Sequence, residues 1–298
     1  MSKSLVLSGG GAKGSFEAGI LYELFDHIEF DYIHGTSVGA LNGLILCQCY
    51  LDKSKLLLKD IWTKQITKNK HVFQKKYLNV FTGKPPLNFS PLRKIIKDNI
   101  NLNKVINMNT ILRFTAVDLN TGEAIVMSNQ ECGNSGDLLN SIIASATIPP
   151  AFSPVEMGEY KLVDGGTRDN VPIKNLIRNE NIESALILLC NPKKINEEKR
   201  KYNNIFSIGL RTIDIMTHEI TVNDVNTAVN INELLRTIKQ EEIEQNEWLS
   251  NKRVIDIDII EPEEPLGGTL NFNHEVLLRS FLKGRLKGKE FLEDIKKS

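Results

Sequence analysis

The 298-residue sequence predicts an α/β fold, a three-layer sandwich in which a mainly parallel central sheet is flanked by helices. Three stretches carry that expectation. Leu5, Val6 and Leu7 read as a short buried strand running into Gly9-Gly10-Gly11-Ala12-Lys13-Gly14, after which Phe16, Ile20, Leu21, Leu24, Phe25 and Ile28 recur at helical spacing. Asp31-Tyr32-Ile33-His34 reads as a second strand, turning through Gly35-Thr36-Ser37-Val38-Gly39 into a helix that carries Val38, Leu41, Leu44 and Ile45. Tyr160-Lys161-Leu162-Val163 reads as a third, ending at Asp164-Gly165-Gly166. In open α/β sheets chemistry collects at the carboxyl ends of such strands.

The serine turn has a physical logic. A sharp strand-to-helix turn strains its apex, and glycines two before and two after let the neighbouring chain pass without Cβ clashes. Ser37 is thereby presented at a helix N-terminus, where the dipole favours an alkoxide or oxyanion. G-x-S-x-G also arises by chance or as a plain helix cap. The glycine loop admits several readings. Gly9, Gly11 and Gly14 satisfy the dinucleotide fingerprint, yet the acidic residue expected about 20 positions on should close the second strand, whereas Asp31 opens it. A P-loop fails because Lys13 precedes Gly14. In a third use the bare amides point at an oxyanion, with Lys13 adding positive charge at the rim; each such donor is worth roughly 3 kcal/mol of barrier.

Bulk properties are those of an ordinary globular chain. Lys and Arg number 37 and so do Asp and Glu, so no global field favours nucleic acid or an acidic substrate. Cys47, Cys49, Cys132 and Cys190 show neither CxxC spacing nor a dense framework, which points to a reducing compartment without structural zinc. The opening residues lack a signal-peptide core and no apolar run has membrane-spanning length, so a cytoplasmic protein is expected, with export lacking a cleaved signal left open.

From 56 to 97 the composition turns basic: Lys59, Lys64, Lys68, Lys70, Lys75, Lys76, Lys84, Arg93, Lys94 and Lys97 stand against Asp60. Trp62, Phe73, Tyr77, Phe81 and Phe89 are interleaved. Such a lobe can rest peripherally on an anionic bilayer, or be a solvated insertion whose aromatics face the core; nucleic acid is disfavoured for want of a motif. One domain over 1–298 with a basic helical insertion at about 53–100 is the simplest organisation.

The rest follows by pattern. Residues 112–119 and 123–128 read as strands joined at Asn120-Thr121-Gly122, and 137–146 as a helix stopped by Pro149-Pro150. Residues 171–180 read as a helix, 185–190 as a buried strand and 193–201 as a charged loop. Two helices parted near 221–223 are expected over 205–248, then a strand over 254–260 and closing helices at 272–282 and 286–295.

Taken in order, the glycine loop, the Ser37 pentapeptide and Asp164-Gly165-Gly166 resemble the three motifs of the patatin-like phospholipase family. Ala144-Ser145-Ala146-Thr147-Ile148-Pro149, with Phe152 and Pro154, resembles the segment that precedes the acidic residue there. The resemblance covers roughly 4–190 by motif. It implies a patatin-like fold and a lipid acyl hydrolase of phospholipase A or lysophospholipase type. It further implies a Ser-Asp dyad of Ser37 and Asp164, with an oxyanion hole from Gly9, Gly10, Gly11 and the amide of Ala12. Lys13 and Gly14 would lie near substrate or phosphate, and Gly35, Gly39, Gly165 and Gly166 would support the turns. It implies no metal and no cofactor.

An ordinary aspartate, with pKa about 3.9, is a poor base for a serine hydroxyl, so the dyad requires burial of Asp164 and strong oxyanion stabilisation. A Ser-His-Asp hydrolase is the rival within the enzyme class, drawing on His218 or His274, neither of which has a supporting motif; His34 is expected to point along its strand. A non-catalytic nucleotide- or lipid-binding regulator using the Gly9 to Gly14 loop is the alternative from another class. Head group, activating partner and oligomeric state stay open.

Overall fold

The computed structural model describes residues 2–76, 83–174, 176, 182–194, 203–250 and 252–297. The strands are β1 (Ser2–Leu7), β2 (Tyr32–Thr36), a small outlying pair β3 (Gln74–Lys75) and β4 (Leu87–Asn88), β5 (Ile111–Asp118), β6 (Ala124–Ser128), β7 (Val155–Met157), β8 (Tyr160–Asp164), β9 (Ile182–Leu188) and β10 (Asp256–Ile260). Helices are α1 (Gly14–Leu24), α2 (Val38–Asp52), α3 (Leu56–Asp60), α4 (Ser90–Asn99), α5 (Leu102–Ile106), α6 (Ser135–Ser145), α7 (Ile205–Thr237), α8 (Gln240–Gln245) and α9 (His274–Ile295).

The main sheet runs β10-β9-β1-β2-β5, all parallel, so the α/β class with a mainly parallel sheet holds. Leu5, Val6 and Leu7 in β1 are wholly buried, as a strand covered on both faces must be. The chain builds outward from β1 to β2 and β5 on one side, then returns to lay β9 and β10 on the other. β1 is therefore the switch point at which strand order reverses, and the crevice above its carboxyl end is where such sheets hold ligands.

The direction of β8 was not readable from the sequence. Thr36 at the end of β2 pairs with Thr115 of β5, and one residue further along the same edge Asp164 of β8 pairs with Ala116, antiparallel. The opposite edge of β5 is taken by β6 over Arg113 to Val117. β2 rising and β8 descending thus meet end to end along one edge of β5. The hairpin at Gly122, where φ is 72°, forms as expected.

Two expected helix breaks are absent. α7 is continuous for 33 residues, opened by a capping box in which the Asn204 side chain accepts from the Ser207 amide. The Thr221 hydroxyl donates to the Thr217 carbonyl, so the polar run is absorbed inside the helix. α9 is likewise one helix, because Gly284 serves packing: a Cβ there would collide with the Phe16 carbonyl of α1, as one on Gly19 would with Phe281 of α9. Between 171 and 176 the described residues form turns; the rest of the helix expected to 180, and 195–201 of the charged loop, lie outside the described residues.

The basic stretch joins the main core through its rings. Trp62, Phe73 and Phe89 are buried, and Phe89 stacks on Phe152 with centroids 3.9 Å apart. Lys64, Lys68, Lys70, Lys75, Lys76, Lys84, Lys94 and Lys97 are exposed. Tyr77 and Phe81 lie outside the described residues. Among the described residues no helix is long and apolar enough to cross a membrane.

A buried polar cluster lies under the glycine loop. Ser8 Oγ donates to Glu17 Oε1 at 3.3 Å, Asn42 Nδ2 donates to Glu17 Oε2 at 3.0 Å and the Trp62 indole donates to Asn42 Oδ1 at 2.9 Å. Burial raises the Glu17 pKa to about 8 despite these donors. Between the ordinary value of 4.5 and about 8 the unfolded chain has released this proton while the folded chain keeps it. Stability therefore falls as pH rises through that window, by on the order of 4 kcal/mol from this group. Chemical denaturation at pH 5, 6.5 and 8 should show a shallower decline for Glu17→Gln than for the native chain. Gly284→Ala should lose about 1–3 kcal/mol in the same assay, even though alanine favours a helix interior by about 1 kcal/mol.

Candidate active site

Ser37 occupies the apex between β2 and α2 with φ 56° and ψ −120°, a conformation side chains rarely adopt. The turn is so tight that a Cβ on Gly39 would strike the Leu7 carbonyl of β1, and one on Gly35 the Gly39 and Ala40 backbone. The Ser37 amide donates to Ser145 Oγ at 2.9 Å, and that hydroxyl donates to the Thr115 carbonyl at 2.6 Å. The 144–149 segment thus contributes Ser145 as a brace between the serine turn and β5. Asp164 is fixed as firmly: its amide donates to the Thr147 carbonyl at 2.9 Å, and its Oδ1 accepts from the Gly166 amide at 2.8 Å.

Burial raises the Asp164 pKa from 3.8 to about 6, with the Ser37 hydroxyl and the Gly166 amide each pulling part of the way back. Ser37 and Asp164 thus face one another, both almost fully buried. No histidine lines this cavity among the described residues. His34 lies buried in β2 with both ring nitrogens unpartnered, and burial pushes its pKa down to about 3, so it stays neutral. His218 sits midway along α7 and His274 at the start of α9, and neither lines the cavity at Ser37.

The glycine loop divides its amides. Gly9 N–H donates to the Asn170 carbonyl at 3.1 Å and Ala12 N–H to the Thr269 carbonyl at 2.8 Å. Among the described residues the Gly10 and Gly11 amides have no protein acceptor. Gly10 lies so close to Cys190 that a Cβ would overlap it, and Gly11 has φ 59° beside the Thr269 carbonyl. Lys13 lines the cavity, mostly buried. Gly14 lines no part of it: it opens α1 and lets Val38 pack against the backbone.

Two spaces meet at Ser37. One, of about 290 Å³, is mixed in polarity and lined by Asp164, Asn170, Arg211, Asp214 and Thr269 among others. The second is an apolar slot of about 40 Å³ between Val38, Leu41, Trp62, Val72, Phe89 and Phe272. Gly11, Ser37, Ile148 and Leu270 border both. Among the described residues no cluster of three or more His, Cys, Asp or Glu could hold a metal ion.

Sequence reasoning passed over the residues that hold the loop. Asn170 Nδ2 donates to Thr221 Oγ1 of α7 at 2.6 Å while its backbone carbonyl takes the Gly9 amide. Thr269 Oγ1 donates to Asp214 Oδ1 of α7 at 2.5 Å while its carbonyl takes the Ala12 amide. An asparagine six residues after the aspartate, directly before Val171-Pro172, was the available signal for the first; Thr269 and Asp214 carry none.

A family model described as patatin-like phospholipase matches residues 5–177. Over 193 residues the chain is 28% identical to a protein of Escherichia coli (strain TW11681) described as a cGAMP-activated phospholipase, covering 56% of this chain and 52% of that one. The chain therefore spans about half the length of that curated relative. Among solved structures, VipD from Legionella pneumophila aligns over 98% of this chain and 67% of its own at TM-score 0.45 and 13% identity, too distant to carry an argument. The glycine loop, the Ser37 turn and Asp164 all fall within the matched residues, and the chain belongs to the patatin-like phospholipase family.

Proposed function

We propose that the protein is a lipid acyl hydrolase of phospholipase A or lysophospholipase type, a serine esterase working through a Ser37-Asp164 dyad. The observation that carries the reading is the end-to-end meeting of β2 and β8 on β5, which turns a strained serine and a buried aspartate toward each other. With its pKa near 6, Asp164 is ionised at neutral pH yet far more basic than an exposed aspartate. It accepts the Ser37 proton as Oγ attacks the ester carbonyl, and the oxyanion of the tetrahedral intermediate is met by the Gly10 and Gly11 amides. Asp164 then protonates the departing lysolipid or alcohol. It next takes a proton from water, whose oxygen attacks the acyl-enzyme and releases fatty acid.

The two spaces at Ser37 suit an ester with unlike halves. The apolar slot, lined by rings and side chains of the 56–97 stretch, accepts the start of an acyl chain, and the larger cavity with Arg211 and Lys13 suits a polar head. A phosphate-binding regulator is less well supported, because Asn170 and Thr269 already occupy the Gly9 and Ala12 amides that a phosphate cradle would need.

A fluorophosphonate probe should label the native protein at Ser37 and fail on Ser37→Ala. Asp164→Asn should lower ester turnover about 10²–10⁴-fold. His218→Ala and His274→Ala should stay near native activity, and a loss as large as that of Asp164→Asn in either would overturn the dyad. Because the base must be ionised, kcat/KM should fall about tenfold per pH unit below pH 6 and level off above it.

A further inference from the structure

The first four turns of α7 have two contrasting faces. Inward, Leu210, Asp214 and Thr217 line the Ser37 cavity. Outward, Ile205, Ile208, Ile215 and Met216 are 89%, 51%, 54% and 58% exposed. Positions 205, 208, 212, 215, 216 and 219 fall on one side of an α-helix, and along that side no charged residue occurs before Glu219. One exposed isoleucine is ordinary; four large apolar side chains forming an uncharged stripe on the outside of a cavity wall are not.

The stripe is aliphatic, without the aromatic and arginine anchors that protein interfaces favour. The basic stretch of 56–97 offers lysines to a membrane but has Trp62, Phe73 and Phe89 buried, so those rings are not available for insertion. Lipid esters, in contrast, are held in bilayers, and the stripe backs the cavity they must enter. We propose that the outward face of α7 docks on a lipid bilayer, inserting Ile205, Ile208, Ile215 and Met216 below the head groups and holding the cavity wall at the membrane surface. The proposal rests on the reading of the protein as a lipid acyl hydrolase. Apolar insertion holds the protein on zwitterionic lipid and survives high salt, unlike adsorption through lysines.

The test combines flotation on phosphatidylcholine vesicles at low and high salt with hydrolysis of the vesicle lipid and of a water-soluble short-chain ester. The native protein should float at both salt concentrations. The triple variant Ile208→Gln, Ile215→Gln, Met216→Gln, which alters exposed positions outside the cavity lining, should bind vesicles at least tenfold more weakly and lose vesicle hydrolysis in step. Its turnover of the soluble ester should stay within twofold of native. Native-like vesicle binding by the triple variant, or native flotation that is absent or needs anionic lipid or low salt, would overturn the proposal. So would light scattering that finds a native dimer and a monomeric triple variant, since the stripe would then cover a second copy. A native protein that floats but neither hydrolyses the soluble ester nor takes a fluorophosphonate would sink the hydrolase reading and leave docking standing.

Discussion

The positive-φ backbone of Ser37 is the constraint on which the rest of the structure turns. Holding a non-glycine residue there costs on the order of 1–3 kcal/mol, and the conformation persists because its surroundings leave no alternative. β1 presses its Leu7 carbonyl against the bare Gly39 Cα, and Ser145 ties the Ser37 amide to β5. The Thr36 hydroxyl donates to the Asp169 carbonyl at 2.9 Å, linking the serine turn to the loop after Asp164. Relaxing the serine would mean moving a central strand, a helix and that loop together.

That rigidity is bought with buried polarity. Asp164, Asp169 and Glu17 are each raised by burial toward neutrality, to about 6, 7 and 8. The nearby Asp224 carboxyl pushes Asp169 in the same direction, while Lys174 pulls it back. Each group occupies a dry environment in which electrostatic interactions are stronger than in water, and each costs stability once it ionises. The raised Asp164 carboxyl and a pH-sensitive core follow from the same desolvation.

What could be read from the sequence was local. Glycines flanking Ser37, glycines after Asp164 and the turn at Gly122 are short-range requirements of backbone geometry, so they show in the residues themselves. What escaped was tertiary. Gly284 looks like a helix breaker until Phe16 of α1 is placed against it, and Thr221 looks like a break until α7 absorbs its hydroxyl. The sense of β8 depends on which part of the β5 edge β2 leaves free, a fact written in no single stretch. Ala12 and Gly9 were expected to give their amides to an oxyanion, but the carbonyls that take them belong to Thr269 and Asn170, far along the chain.

The double grip of α7 on the glycine loop divides the chain in an instructive way. Every motif residue lies within 5–177, whereas Asp214, Thr221 and Thr269 lie beyond it. The motif residues and the side chains that hold the glycine loop therefore occupy separate stretches of sequence. A substitution at Asp214 or Thr221 would loosen the hold on the glycine loop while leaving every motif residue in place.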